Sequence, residues 1–552
     1  MDIQIERNVR VAMRDGVTLS ADVYRPKEEG RYPAIVVRTP YLKTSKATFD
    51  NGSYFARHGF AVVYMDVRGR GDSEGEFKPY FNEGKDGYDS IEWAAAQPWC
   101  TGAVGTMGGS YLARIQWLTA ITQPPSLKAM ICSVTPSDPF VEWPTGVPTP
   151  HHLCWLHMVS GRVMQNVDVI DWENAYWHLP LATMDELTGR LSAEWREEIE
   201  HPQLDEYWER ICYQTKFDRV DVPVMHVSGW YDDEQVGTPL NFIGMTKGAK
   251  SEFARENQKL LMGPWPHGIN QSTKLGEIDF GPDSVIDLQG YQLRWFNHWL
   301  KGEDSGIMAE PSVRMFVMGE NKWRDESQWP LANTEWTKFY LRSNGMANSR
   351  FGDGWLSTEQ PPVDGEATAD RFTYDPANPV PFITEPTSAQ IGGPDDYSAI
   401  ERRDDVLVYC TDVLEHDVEV SGPIRMELFA SSSAVDTDFT VKLLDAWPNG
   451  FAQRLTDGLV RARFRDGMDK PSLIEPDKVY QYDVDCWNTS HVFKKGHRIR
   501  VEISSSAFPK YDRNLNTGAP LGKTAEMIVA KQTIYHEPEH ASAIMLPIIP
   551  RK

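Results

Sequence analysis

The 552-residue sequence predicts an α/β chain: a parallel-sheet domain carrying an inserted helical cap, followed by a C-terminal all-β jelly-roll domain. Three observations predict it. Apolar β runs alternate with helical patterns up to about residue 315, as expected of a parallel sheet covered on both faces. That rhythm stops between about 137 and 218, and beyond about 315 the texture becomes short β runs separated by Pro, Gly and Asp.

Residues 8–25 place the turn pair Asp15-Gly16 between two alternating runs, which predicts an opening antiparallel hairpin. Buried strands follow at Pro33–Arg38 and Ala61–Val67, with a helix around Phe55 between them and another over Gly87–Ala95. Further apolar runs lie at Ala103–Met107, Ala129–Val134, Val222–Val227 and Lys259–Met262. The interruption is rich in helix formers and in tryptophan (Trp143, Trp155, Trp172, Trp177, Trp195, Trp208) and reads as a helical cap. The last third shows β runs at Glu335–Leu341, Asp405–Tyr409, Gly422–Ala430, Phe439–Leu444 and His497–Ile503, while 352–400 reads as loop.

Composition is that of an ordinary globular protein, with 41% hydrophobic and 24% charged residues. No apolar run approaches the 18 residues or more that a membrane span needs, and the opening segment lacks a basic n-region and an apolar h-region. Cytoplasmic residence is expected, without membrane association. The six cysteines are dispersed and unpaired in pattern, as buried free thiols would be. A formal charge of -23 opposes binding to polyanions, so nucleic acid is not an expected partner.

Three segments carry chemistry. In Val104–Ala120 a short strand runs through Gly108 and Gly109 into Ser110 and then into a helical pattern. A serine at a strand-to-helix turn needs small neighbours, and the helix N-terminus offers the Tyr111 N–H to a developing oxyanion. The strict G-x-S-x-G pattern fails, because position 112 is leucine. A plain βα turn fits that segment too.

In Val224–Val236 a buried strand ends at Tyr231 and is followed by Asp232, Asp233 and Glu234. Acids that serve catalysis in open α/β sheets sit at strand carboxyl ends, although three acids in a row are also a common solvated loop. In Leu260–Asn270 another strand leads into Gly-Pro-Trp-Pro and then His267. A general base needs such a supported loop.

Chain order is Ser110, Asp232, His267, which is the nucleophile, acid, base order of α/β hydrolases. The first interval accommodates a βα unit plus the cap, and the second spans about one βα unit. The expected division is therefore an α/β-hydrolase core in two parts, 1–136 and 219–315, a cap at 137–218, and a jelly roll at 316–552.

Several motifs now bear on kinship. They are Met13-Arg14-Asp15-Gly16 with Leu19, Arg38-Thr39-Pro40-Tyr41, the run Asp66 to Gly75, Gly108 to Tyr111, Gly229 to Asp232 and Gly263 to His267, with Phe316 to Asn321 and Thr437 to Lys442 in the last third. By these the chain resembles the cocaine esterase / X-prolyl dipeptidyl-peptidase family of α/β-hydrolase serine hydrolases. That family also includes α-amino-acid ester hydrolases and glutaryl-cephalosporin acylases.

The resemblance implies an oxyanion hole made of the Tyr41 hydroxyl and the Tyr111 backbone N–H. One departure is Ala113, where the family usually has glycine. Another is the run Asp232-Asp233-Glu234-Gln235, in which only Glu234 matches the acids that bind a substrate ammonium in the amino-acid ester hydrolases. Trp143, Trp155, Phe140 and Phe508, with Glu234, are the candidate substrate-binding residues; most tryptophans are simply core.

His151, His152 and His157 show no evident carboxylate partner, and no metal or other cofactor is expected. Arg68, Arg70 and Asp72 read as an ion-pair and turn network. The expected function is cleavage of a small-molecule carboxylic ester, or amide, through a Ser110 acyl-enzyme with His267 as base and Asp232 orienting it. Amide or β-lactam side-chain acylase and X-prolyl dipeptidyl-peptidase stay open, as do an acyltransferase and a non-catalytic binding protein on the same scaffold. Oligomeric state is open as well, a homo-oligomer included.

Overall fold

A computed structural model describes residues 1–362, 368–388 and 391–551. Its first layer is a ten-stranded sheet. The strands are β1 (Ile3–Ala12), β2 (Thr18–Pro26), β3 (Tyr32–Thr39), β4 (Ala61–Asp66), β5 (Cys100–Gly109), β6 (Leu127–Ser133), β7 (Val224–Tyr231) and β8 (Gln258–Pro266), with β11 (Val313–Val317) and β12 (Lys322–Glu326); a separate two-strand ribbon holds β9 (Lys274–Leu275) and β10 (Ile278–Asp279). The spatial order is β1-β2-β4-β3-β5-β6-β7-β8-β11-β12. From β4 to β11 every pairing is parallel, and the antiparallel pairings lie at the two edges.

The continuous apolar strands are explained by helices on both faces. On β3, Val36 packs in one core with Ile91 of α2 (Glu83–Ala95) and Trp117 of α3 (Tyr111–Ala120). Its neighbours Ile35 and Val37 pack in another core, with Phe55 of α1 (Lys46–Arg57) and Phe296 of α10 (Leu288–Lys301). Alternate side chains point to opposite faces, so a strand covered on both sides must be apolar at every position.

Between β6 and β7 lie the short helices α4 (Pro150–Met158), α5 (Trp172–Tyr176), α6 (Ala193–Glu200) and α7 (Glu206–Glu209). Trp172, Trp195 and Trp208 are fully buried and form the cores of this cap, and Trp177 lies half exposed against Phe508. Helices α8 (Gly237–Gly248) and α9 (Glu252–Glu256) follow β7. No helix among the described residues is long and apolar enough to cross a membrane.

Beyond β12 the described regular structure is β apart from short 3-10 turns. The strands are β13 (Glu335–Arg342), β14 (Trp355–Ser357), β15 (Ala369–Tyr374), β16 (Leu407–Cys410), β17 (Val418–Ser432), β18 (Asp438–Ala446), β19 (Ala452–Arg461), β20 (Tyr480–Phe493), β21 (Arg498–Ser504), β22 (Ala530–Tyr535) and β23 (Ala543–Ile549). They form one sheet around an apolar core that includes Leu341, Leu428, Val441, Val484 and Ile503. The α/β-hydrolase architecture followed by a jelly roll is thus the fold of the chain.

Residues 352–400 are not all loop. β15 escaped because its inward positions are Asp370, Phe372 and Tyr374, and the buried acid breaks the apolar alternation. Asp370 is neutral to the packing only because Ser343, Tyr409 and His536 hydrogen-bond its carboxylate at 2.7 to 3.0 Å.

Candidate active site

Parallel strands bring their carboxyl ends to one edge. β5 ends one residue before Ser110, β7 one before Asp232, β8 one before His267, and β3 two before Tyr41. Ligands in such sheets bind at that edge.

Ser110 occupies strained backbone, with φ 58° and ψ -129°. Its N–H donates to the Ser133 carbonyl at 3.0 Å, which ties the turn to the end of β6. Helix α3 then folds tightly back, so a Cβ at Gly108 would stand 2.5 Å from Leu112 Cβ. Glycine is required there for space. Tyr111 opens the helix, where backbone N–H groups have no intrahelical acceptor. Its phenol is directed away, donating to Glu83 at 2.7 Å.

Asp232 is buried and its two oxygens are fully used. Oδ1 accepts from His267 Nδ1 at 2.8 Å and from the Glu234 N–H at 3.1 Å, and Oδ2 accepts from Ser228 Oγ at 2.6 Å. With Nδ1 engaged, Nε2 is the ring nitrogen left for chemistry. Asp233 and Glu234 also approach Nδ1, at 3.5 and 3.9 Å. Burial alone would push His267 down, but the carboxylates of Glu234, Asp233 and Asp232 outweigh it and hold the imidazole well above 6.5.

The end of β7 and the loop after it are bolted in place. Trp230 Nε1 donates to the Phe316 carbonyl of β11 at 2.7 Å, and from the β domain Gln453 donates to the Tyr231 hydroxyl at 3.1 Å while the Asn488 carbonyl accepts from Gln235 at 2.5 Å.

Tyr41 comes from the loop after β3. Its hydroxyl accepts from Trp155 Nε1 of α4 at 2.9 Å and lines the same cavity as Ser110. Burial pushes this phenol up to about 12, with the Trp155 hydrogen bond working in the opposite sense.

Ser110, His267, Tyr41 and Tyr111 line one cavity of about 380 Å³, together with Glu234, Trp143 and Trp155. Phe140 and Phe508 do not line it. Phe140 is packed edge-on against Trp208 in the cap, and Phe508 is packed against Trp177. Both aromatics satisfy burial rather than forming the wall expected of them.

The sequence reading missed Tyr80, Glu142, Trp487 and Lys510, all of which line the cavity. Burial pushes Glu142 up to about 8 and Asp233 up to about 6. Lys510 is itself buried and pairs with Asp457 at 2.7 Å. No periodicity or motif marks these residues.

Two other clusters resolve plainly. His152 does have a carboxylate partner, Glu198 at 3.0 Å, and His151 faces the Glu385 carbonyl. Arg68 pairs with Asp86 and Asp15, and Asp72 pairs with Lys43. Arg70 differs from both, because its oxygen contacts are backbone carbonyls rather than acids.

Comparison with known proteins shows the family and the fold. The family described as X-Pro dipeptidyl-peptidase (S15 family) matches residues 15–269, and the X-Pro dipeptidyl-peptidase C-terminal non-catalytic domain matches 305–545. The chain is 38% identical to cocaine esterase of Rhodococcus sp. (strain MB1 Bresler), with 99% of each chain covered. It is 25% identical to a putative serine esterase of Mycobacterium bovis, covering 98% of this chain and 94% of that one. Among solved structures, an aminopeptidase from a marine sediment Thaumarchaeota archaeon superposes with TM-score 0.87 at 26% identity, over 100% of this chain and 97% of that one. An α-amino acid ester hydrolase superposes equally well at 24% identity, over 99% and 97%, which speaks to the fold.

Proposed function

The chain belongs to the cocaine esterase / X-Pro dipeptidyl-peptidase family and is a serine hydrolase that cleaves esters of small molecules, and from that premise we propose that Ser110 is the residue acylated during turnover. The observation that carries this assignment is the pairing of His267 with Asp232 at 2.8 Å on the rim of the cavity that Ser110 lines.

Ser110 Oγ attacks the ester carbonyl while His267 Nε2 takes its proton. The carbonyl oxygen becomes an oxyanion, received by the Tyr41 hydroxyl and the Tyr111 N–H. His267 then returns the proton to the leaving alkoxide, and Ser110 is left esterified to the acyl group. Water, deprotonated by His267, attacks that ester in turn and restores the serine. Asp232 keeps the imidazole oriented throughout and stabilises its cationic form.

A second reading concerns the substrate. Glu142, Asp233 and Glu234 face the cavity alongside Trp143, Trp155 and Tyr80. Buried carboxyls with raised pKa regain their ionised form when a cation is placed among them, and aromatic faces attract cations. This supports an ester that carries a protonated amine. The six free cysteines fit a reducing compartment and support cytoplasmic residence.

The test is Ser110→Ala with a 4-nitrophenyl ester and a fluorophosphonate label. Turnover and labelling are expected to disappear together; retention of either in the variant overturns the assignment. An X-Pro dipeptide anilide assayed in parallel separates peptidase from esterase.

A further inference from the structure

We propose that Trp155 is a positioning residue for the oxyanion hole: its indole N–H occupies the acceptor side of the Tyr41 hydroxyl and so aims the Tyr41 proton at the reacting oxygen. The proposal rests on the assignment of Tyr41 as an oxyanion donor made above.

The chemistry of the two groups leaves one arrangement. An indole N–H is a donor only, whereas a phenol donates one proton and accepts through its oxygen. At 2.9 Å the Trp155 N–H must therefore donate and the Tyr41 oxygen must accept. The Tyr41 proton has to point elsewhere. Tyr41 lines the same cavity as Ser110, on whose oxygen the tetrahedral centre forms.

A hydroxyl without such a partner rotates about its C–O bond and must be reoriented when charge develops. A donor fixed beforehand avoids that cost, which is the advantage of a preorganised oxyanion hole. The Trp155 ring is itself held, stacked at 5.8 Å on Tyr111, 6.4 Å on Tyr80 and 5.4 Å on His152.

A separate contact ties the same two segments together. Arg70 is fully buried and donates to the Pro40 carbonyl at 2.8 Å, next to Tyr41, and to the Val159 carbonyl at 2.6 Å, at the end of α4. It reaches the Gly161 carbonyl as well. One guanidinium thus links the loop that bears Tyr41 to the helix that bears Trp155. The cap is part of the oxyanion hole and not only a wall around the substrate.

The experiment is a double-mutant cycle between Trp155→Phe and Tyr41→Phe, read as kcat and KM on a 4-nitrophenyl ester. Tyr41→Phe alone is expected to lower kcat about 100-fold, the size of losing one oxyanion donor. Trp155→Phe keeps the ring stack, and is expected to lower kcat about 10-fold with KM nearly unchanged, as loss of an interaction made in the transition state does. In the Tyr41→Phe background it should cost nothing further, since there is no hydroxyl left to orient.

A substrate wall behaves differently. If Trp155→Phe raises KM and multiplies with Tyr41→Phe, or leaves kcat intact, the positioning role is overturned. If Tyr41→Phe costs nothing, the oxyanion assignment falls and the positioning role falls with it. Thermal midpoints accompany each variant. Should Trp155→Phe fail to fold, site-specific replacement of Trp155 by 3-benzothienylalanine deletes the N–H while preserving shape, and is expected to give the same loss of kcat.

Discussion

Asp233 Oδ1 stands 3.5 Å from His267 Nδ1, the nitrogen that Asp232 already engages at 2.8 Å. With Glu234 at 3.9 Å, three carboxylates surround one imidazole edge, and Glu142 lines the same cavity. Their effect outweighs burial and raises His267 above 6.5. Because a general base must be neutral, the acidic limb of kcat/KM should lie above that value. Asp233→Asn with Glu234→Gln should move it down by roughly one pH unit, read from a pH–rate profile. The raised folded-state pKa of His267 stabilises the fold fully below 6.5, and that contribution is lost as pH rises through the folded value.

Neutralising Glu142 discriminates between substrates. Glu142→Gln should raise KM severalfold for an ester bearing a protonated amine and leave KM for a neutral ester of the same size unchanged. Equal effects on both would refute recognition of the amine.

The backbone at Ser110 costs about 1–3 kcal/mol, as a non-glycine residue in a sparsely populated region does. Ser110→Gly should therefore abolish turnover without lowering the thermal midpoint, even though glycine at an ordinary helix or strand position costs about 1 kcal/mol.

These sites differ in how legible they were in the sequence. Ser110, Asp232 and His267 each follow an apolar strand, so their convergence on one edge follows from parallel pairing alone. Glu142 sits in a cap whose short helices carry no sustained period, and Trp487 and Lys510 arrive from the β domain, more than 250 residues beyond Asp232 in the chain. Local pattern cannot report such long-range meetings. The cap aromatics were ambiguous for another reason: core and cavity wall use the same residue types, and only packing shows that Trp143 and Trp155 face the cavity while Phe140 does not. In the β domain the runs that became β13, β16, β17, β18 and β21 were legible, whereas β14, β15, β19, β20, β22 and β23 were not; in β15 a buried acid, Asp370, interrupts the apolar alternation.

Gly229 controls the spacing of β7 and β8. A Cβ there would stand 2.0 Å from the Trp265 carbonyl oxygen, so Gly229→Ala must push apart the two strands that carry Asp232 and His267. Since misplacement by about 1 Å can cost about 100-fold, kcat should fall at least tenfold. Circular dichroism and the thermal midpoint distinguish this shift from unfolding.

Arg461 lies fully buried between Asp438 at 2.8 Å and Asp512 at 3.1 Å, and donates across to the Thr145 carbonyl of the cap. Arg461→Met strands two acids and should destabilise by about 3–5 kcal/mol. Adding Asp438→Asn should recover part of that loss in thermal denaturation.

The Gln235 and Tyr231 contacts give the β domain an influence that its distance in the chain conceals. A chain truncated after residue 330 would retain Ser110, Asp232 and His267 and still lose Gln453 and Asn488, the outside anchors of the loop that holds the acid, along with Trp487 and Lys510 from the cavity wall. For anyone redesigning this protein, Trp487 of β20 and the loop around Lys510 are places where substrate preference could be rewritten without touching the residues proposed to make and break bonds.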